Sequence, residues 1–190
     1  MQKIIDRLTN GGYTKELAVD DFQKLLNAVS SIANSKTKAG LLLLGNVGCG
    51  KTTAIKAIVQ DYVFVNMPNP SDHGLLLPHV ADRRVDGGVY EREGWWTIID
   101  DENVIIDDLG NESIKKSFGN ITDVFATFIM QFYPESYKNP NKEARLFITS
   151  NLTEEQLEER YGIRTMDRVY EMCTPVTLLQ KSHRKYQPRF

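Results

Sequence analysis

The segment Gly45-Asn46-Val47-Gly48-Cys49-Gly50-Lys51-Thr52-Thr53 carries the residue types and spacing that phosphate chemistry requires. It fits G-x-x-x-x-G-K-[ST], with Gly45, Gly50, Lys51 and Thr52 in the required places. Glycines let the backbone turn so that successive N–H groups point inward, a cradle for phosphate oxygens. A helix starting at the end of the loop adds its positive N-terminus. Lys51 can reach the β- and γ-phosphates of ATP, and the Thr52 hydroxyl can complete a Mg²⁺ shell. Cys49 lies where the backbone makes the contacts and reads as a tolerated small residue, with redox sensitivity as the alternative.

A second segment, NVIIDDLG from Asn103 to Gly110, places two carboxylates at the end of an apolar run. Asp107 is in position to hold Mg²⁺, usually through water, and Asp108 to sit beside the γ-phosphate and orient the attacking water. Asp108 replaces the commoner Glu and is shorter by one methylene, which shortens its reach. Asp100, Asp101 and Glu102 precede the apolar run, so they belong at the other end of the strand, in a solvated turn.

These groups need rigid elements beneath them. The run Leu41–Leu44, stopping at Gly45, predicts a strand buried on both faces. Strands are also predicted at 62–65, 103–107, 145–149 and 176–179. Phe22, Leu25, Leu26, Val29 and Ala33 recur at helical spacing over 20–34, with Asp20 or Asp21 as N-cap. Further helices are predicted at about 51–60, 120–133, 153–160 and 164–172. The stripe Ile121, Val124, Phe125, Phe128, Ile129 and Phe132 reads as core. Residues 67–97 are irregular, with one short element around Leu75–Val80. Strands alternating with helices imply a doubly wound α/β fold, a three-layer P-loop NTPase sandwich on a five-stranded, mainly parallel sheet.

The chain of 190 residues is 41% hydrophobic and 25% charged, which excludes disorder, collagen-like structure or coiled coil as the main architecture. Net charge is −2, against a uniformly basic nucleic-acid binder, yet the balance is uneven. Residues 82–112 hold ten acids against three bases, and residues 160–190 hold seven bases against two acids. Two cysteines, Cys49 and Cys173, exclude a disulfide framework and point to a reducing compartment. The start lacks the apolar region of a signal peptide, and no apolar run approaches the roughly 20 residues of a membrane span. The expectation is a soluble, cytoplasmic protein with no membrane partner. His73, His79 and His183 are too scattered for a zinc site. Of the adjacent Trp95 and Trp96, one ring is expected in the core and one half-exposed. Glu154, Glu155, Glu158 and Glu159 read as a solvated helix face.

The order GNVGCGKTT, VIIDDLG, LFITSNLT, YGIRTMDRVYEMC and SHR resembles the AAA+ ATPases of the DnaC/IstB type, over about residues 40–185. These are bacterial and phage replicative-helicase loaders and helper ATPases of transposons. The resemblance implies an ATPase, slow and dependent on assembly, that forms a homo-oligomer around single-stranded DNA and acts on a replicative helicase or a transposase. Asn151 matches the sensor-1 position, with Thr149 and Ser150 as neighbours able to take that role. Arg168 matches the arginine finger offered to the ATP of an adjacent subunit, with Arg164 as fallback, and Arg184 matches the sensor-2 position. Residues 1–38 are then a short helical extension and 39–190 the ATPase domain, with little or no helical lid. Alternatives are a transposition helper, a nucleotide-dependent adaptor and, in another class, a small nucleoside or nucleotide kinase. Against the kinase, TSNL and YG-x-R-x-x-D-R follow the paired aspartates where acceptor-binding residues and lid arginines are needed.

Overall fold

The computed structural model describes residues 19–34, 40–59, 63–66, 77–80, 103–111, 115–117, 120–122, 124–134 and 145–179, together with Asp6. Arg184, His73, His183, Trp95, Trp96, Asp100, Asp101 and Glu102 lie outside the described residues, as does the stretch after β8 where a lid would follow.

Four consecutive leucines bury both faces of β1 (Gly40–Gly45), because each side of this strand is covered by helices. Helix α1 (Val19–Asn34) precedes it, and α2 (Lys51–Ile58) follows the glycine-rich loop. Next come β2 (Val63–Asn66), β3 (Leu77–Val80) and β4 (Asn103–Leu109). A small hairpin, β5 (Lys115–Ser117) and β6 (Asn120–Thr122), leads into α3 (Val124–Phe132). The chain continues through β7 (Arg145–Ser150), α4 (Glu154–Tyr161), α5 (Ile163–Met172) and β8 (Cys173–Leu178).

The main sheet has the order β3-β2-β4-β7-β1-β8. The neighbours from β2 to β8 are parallel, and β3 joins β2 antiparallel. The five expected parallel strands are therefore present, and β3 adds a sixth on the edge. Each edge strand contains a proline, Pro78 in β3 and Pro175 in β8.

Two apolar layers sandwich the sheet. Leu42, Leu44, Val104, Ile106, Leu146 and Ile148 pack with Phe125, Phe128, Phe132, Tyr161, Met166 and Val169 of α3, α4 and α5. Leu41, Leu43, Ile105, Phe147, Val176 and Leu178 pack with Leu25, Val29, Ala54 and Ile55 of α1 and α2. Alternate strand residues thus feed opposite layers, as the pleat requires. Asp21, 1% exposed, accepts a hydrogen bond from the Leu179 N–H (2.8 Å) and pins the start of α1 to the chain leaving β8. Among the described residues no helix is long and apolar enough to cross a membrane.

Two boundaries differ from the sequence expectation. Helix α3 begins at Val124, and Ile121 of the proposed stripe lies in β6, where Asn120–Thr122 pairs with Lys115–Ser117. Strand β8 starts at Cys173 rather than Val176, directly after α5, which ends at Met172 as expected; Pro175 restricts Thr174 before it to the extended backbone this strand uses. His79 lies in β3, within the short element expected around Leu75–Val80.

Candidate phosphate-binding and catalytic site

The parallel strands bring their C-terminal ends to one rim, with Leu44 of β1 level with Ser150 of β7 and Asn66 of β2 level with Asp107 of β4. Ligands of open α/β sheets bind outside this rim. The glycine-rich loop leaves β1 there. Gly45 has φ +145°, and a Cβ would stand 2.5 Å from the Leu178 carbonyl oxygen, so only glycine fits between β1 and β8. Gly50, at φ +90°, caps α2 without a side chain. The first-turn N–H groups of α2 consequently have no side-chain acceptor at the cap, which fits an anion.

Lys51 is 5% exposed, and its ammonium lies inside this loop. It donates to the carbonyl oxygens of Gly45 (2.8 Å) and Asn46 (3.0 Å) and to Asn151 Oδ1 (2.7 Å). Its Nζ is also 3.9 Å from Cys49 Sγ. Cys49 is fully buried and packs with α1 and α2, while Val47 is 55% exposed at the loop tip. Asn46 and Thr53 are exposed and Gly48 half-buried.

The acidic strand end meets this loop. Thr52 Oγ1 donates to Asp107 Oδ1 (2.7 Å), and Thr149 Oγ1 donates to the same oxygen (2.6 Å). The Asp108 N–H donates to Thr149 Oγ1 (2.8 Å), and Asn151 Nδ2 donates to Asp108 Oδ1 (3.4 Å). Lys51, Thr52, Asp107, Asp108, Thr149 and Asn151 form one network across α2, β4 and the end of β7. Ser150, the other neighbour of Asn151, turns to structure instead: its hydroxyl donates to the Leu109 carbonyl (2.6 Å) and ties β7 to β4.

The pairing of Thr52 with Asp107 suits Mg²⁺. Among the described residues no group of three or more His, Cys, Asp or Glu forms a cage for a metal. Mg²⁺ is ordinarily held by one or two carboxylates together with substrate phosphates, so a single acid and a hydroxyl beside a phosphate cradle are the fitting donor set.

Arg168 stands apart from this network. It lies on α5, its guanidinium against Met130 Sδ near the end of α3 and 5.3 Å from the centre of the ring of Tyr133, the residue after that helix. The Tyr133 hydroxyl in turn donates to Glu171. Arg164, on the same helix, is exposed.

The residue that sequence reasoning undervalued is Thr149. Its position suggested only a substitute for Asn151, yet its hydroxyl touches both aspartate residues. No local signal gives this, because it depends on β7 lying beside β4, a non-local pairing.

Fold and loop together define a P-loop NTPase-type α/β domain. No protein-family model matches the sequence, and no curated protein is significantly similar to it. Solved structures resemble it, two of them complexes of one protein. One is NtrX from Brucella abortus in complex with ATP, with a TM-score of 0.52, 12% identity, and coverage of 87% of this chain and 38% of that one. The other is NtrX from Brucella abortus in complex with ADP, with a TM-score of 0.54, 11% identity, and coverage of 92% and 40%. The chain therefore spans about two fifths of the length of that protein. At such identity the likeness is one of fold.

Proposed function

We propose that this protein is an ATP-binding and ATP-hydrolysing switch of the AAA+ type. The observation that carries the reading is the convergence of Lys51, Thr52, Asp107, Asp108 and Asn151 on one rim of the sheet, linked by hydrogen bonds. That NtrX, a protein of similar fold, forms complexes with ATP and ADP supports an adenine nucleotide.

In this reading the loop from Gly45 to Thr53 wraps the phosphates and Lys51 places its charge on their oxygens. Thr52 and Asp107 would hold Mg²⁺, which would supply charge neutralisation on the phosphates. Asp108 accepts a hydrogen bond from the attacking water and takes its proton. Asn151 holds that carboxylate and offers its amide to the γ-phosphate. Lys51 has three N–H donors, and three oxygens already meet them. Phosphate must displace one, and Asn151 Oδ1 is the acceptor contributed from outside the loop. Binding would therefore release Asn151 toward its catalytic position.

The finer reading is a DNA-replication helicase loader that assembles on single-stranded DNA, with Arg168 reaching the nucleotide of a neighbouring copy and Arg184 acting on its own. The resemblance to DnaC/IstB ATPases supports it, as does the excess of bases over residues 160–190. Residues 1–38 would be its extension and 39–190 its ATPase domain. The test is ATPase rate against protein concentration, with and without single-stranded DNA. Turnover should rise more steeply than linearly. Lys51→Ala should abolish it, and Arg168→Ala should lower it by about 10³-fold or more while leaving nucleotide affinity intact. A linear dependence untouched by Arg168→Ala would exclude the finger, and phosphate transfer to a nucleoside would replace the reading with a kinase.

A further inference from the structure

We propose that Thr149 is a positioning residue that aims both acids of the site; the proposal rests on the nucleotide reading above. Successive residues of a regular strand point to opposite faces, so Asp107 and Asp108 in an unbroken β4 would diverge across the sheet. The ladder does not continue unbroken: the register between β4 and β7 shifts between Ile106 and Leu109, the interval that holds the two acids. Among the described residues Asp108 is the one non-glycine with positive φ, at +53°. Asp is among the few L-residues that occupy this region readily. The turn brings the Asp108 carboxylate to Asn151 while Asp107 keeps its place beside Thr52.

Thr149 makes this irregularity stable. Fully buried on β7, it gives its single hydroxyl proton to Asp107, which can only accept, and receives the Asp108 N–H that the shifted ladder no longer pairs in register. Both uses of the hydroxyl are dictated by its neighbours, and β-branching stiffens its χ1. If Thr52 and Asp107 were to hold Mg²⁺, the Thr149 hydroxyl would still fix Asp107 through Oδ1. One hydroxyl thus couples the orientation of the metal-holding acid to the backbone conformation of the water-orienting acid.

The test compares Thr149→Val, which keeps the shape without the hydroxyl, with Thr149→Ser, which keeps the hydroxyl. Binding of a fluorescent ADP analogue is measured in EDTA, Mn²⁺ binding to the ADP-loaded protein by electron paramagnetic resonance, and turnover at saturating ATP. Thr149→Val should bind ADP in EDTA like the parent, but lose about tenfold or more in both Mn²⁺ affinity and kcat, the scale of groups that orient metal ligands. Thr149→Ser should recover both. Thr149→Cys, which weakens both hydrogen bonds, replaces the valine variant if that fails to fold. Parent-like Mn²⁺ affinity and kcat in Thr149→Val, or in Thr149→Cys where it serves instead, would overturn the proposal. A parent protein that binds no ADP would instead remove the nucleotide reading on which it stands.

Discussion

Asp108 explains its own identity. At φ +53° the Cβ of any L-residue crowds the backbone, and Asp and Asn tolerate the conformation because their short polar side chains can hydrogen-bond locally. The short acid that seemed a loss of reach in the sequence is the residue this turn accepts, and the turn brings its carboxylate to Asn151. Asp108→Asn should keep fold and nucleotide affinity, and lower kcat by about 10²–10⁴-fold, because an amide cannot take a proton from water. Asp108→Glu should lose about 1 kcal/mol of stability from the left-handed backbone. Urea unfolding alongside steady-state turnover separates the two effects.

At the level of elements, the joint between α4 and α5 carries a measurable pH signature. A reciprocal capping box at Thr153 and Gln156 starts α4, and Gly162, at φ +82°, turns the chain into α5. Across the joint the Tyr170 hydroxyl donates to Glu158 Oε1 (3.2 Å). Burial first, and then the negative charges of Glu158, Glu154 and Glu155, push this phenol above its usual 10.0. A proton held more tightly in the folded state contributes stability fully present below the unfolded value and lost as pH rises past it. Thermal stability should fall above about pH 10, and Tyr170→Phe should flatten that decline in a series of melting curves. The elements themselves were largely legible. Four leucines closed by glycine announced β1, apolar spacing announced α1 and α3, and α4 and α5 fall where short helices were expected between the last two strands. The hairpin β5–β6 was not, because three-residue strands carry too little alternation to register. The phosphate loop and paired acids were visible as local motifs. The part played by Thr149 was hidden, because it exists only once β7 is inserted between β4 and β1.

Viewed as a whole molecule, the chain separates its charges: seven bases against two acids over residues 160–190, and the opposite imbalance over 82–112. A near-neutral total thus coexists with a basic end suited to a phosphate backbone. For the proposed single-stranded DNA partner, affinity should fall linearly with the logarithm of salt concentration. Neutralising Lys181, Arg184, Lys185 and Arg189 in turn should reduce that slope by about 0.7 for each phosphate left without its cation, read by fluorescence anisotropy across a salt series. An unchanged slope would place DNA elsewhere on the protein.

The prolines at the two rims of the sheet carry a consequence for the protein in a crowded solution. An edge strand tolerates proline where the missing N–H faces outward, so an arriving strand finds a donor absent at β3 and again at β8. Neither rim is a good template for growth. Copies of the chain are discouraged from fusing into one continuous intermolecular sheet, the route that ends in insoluble fibres, and association is left to the helices and loops.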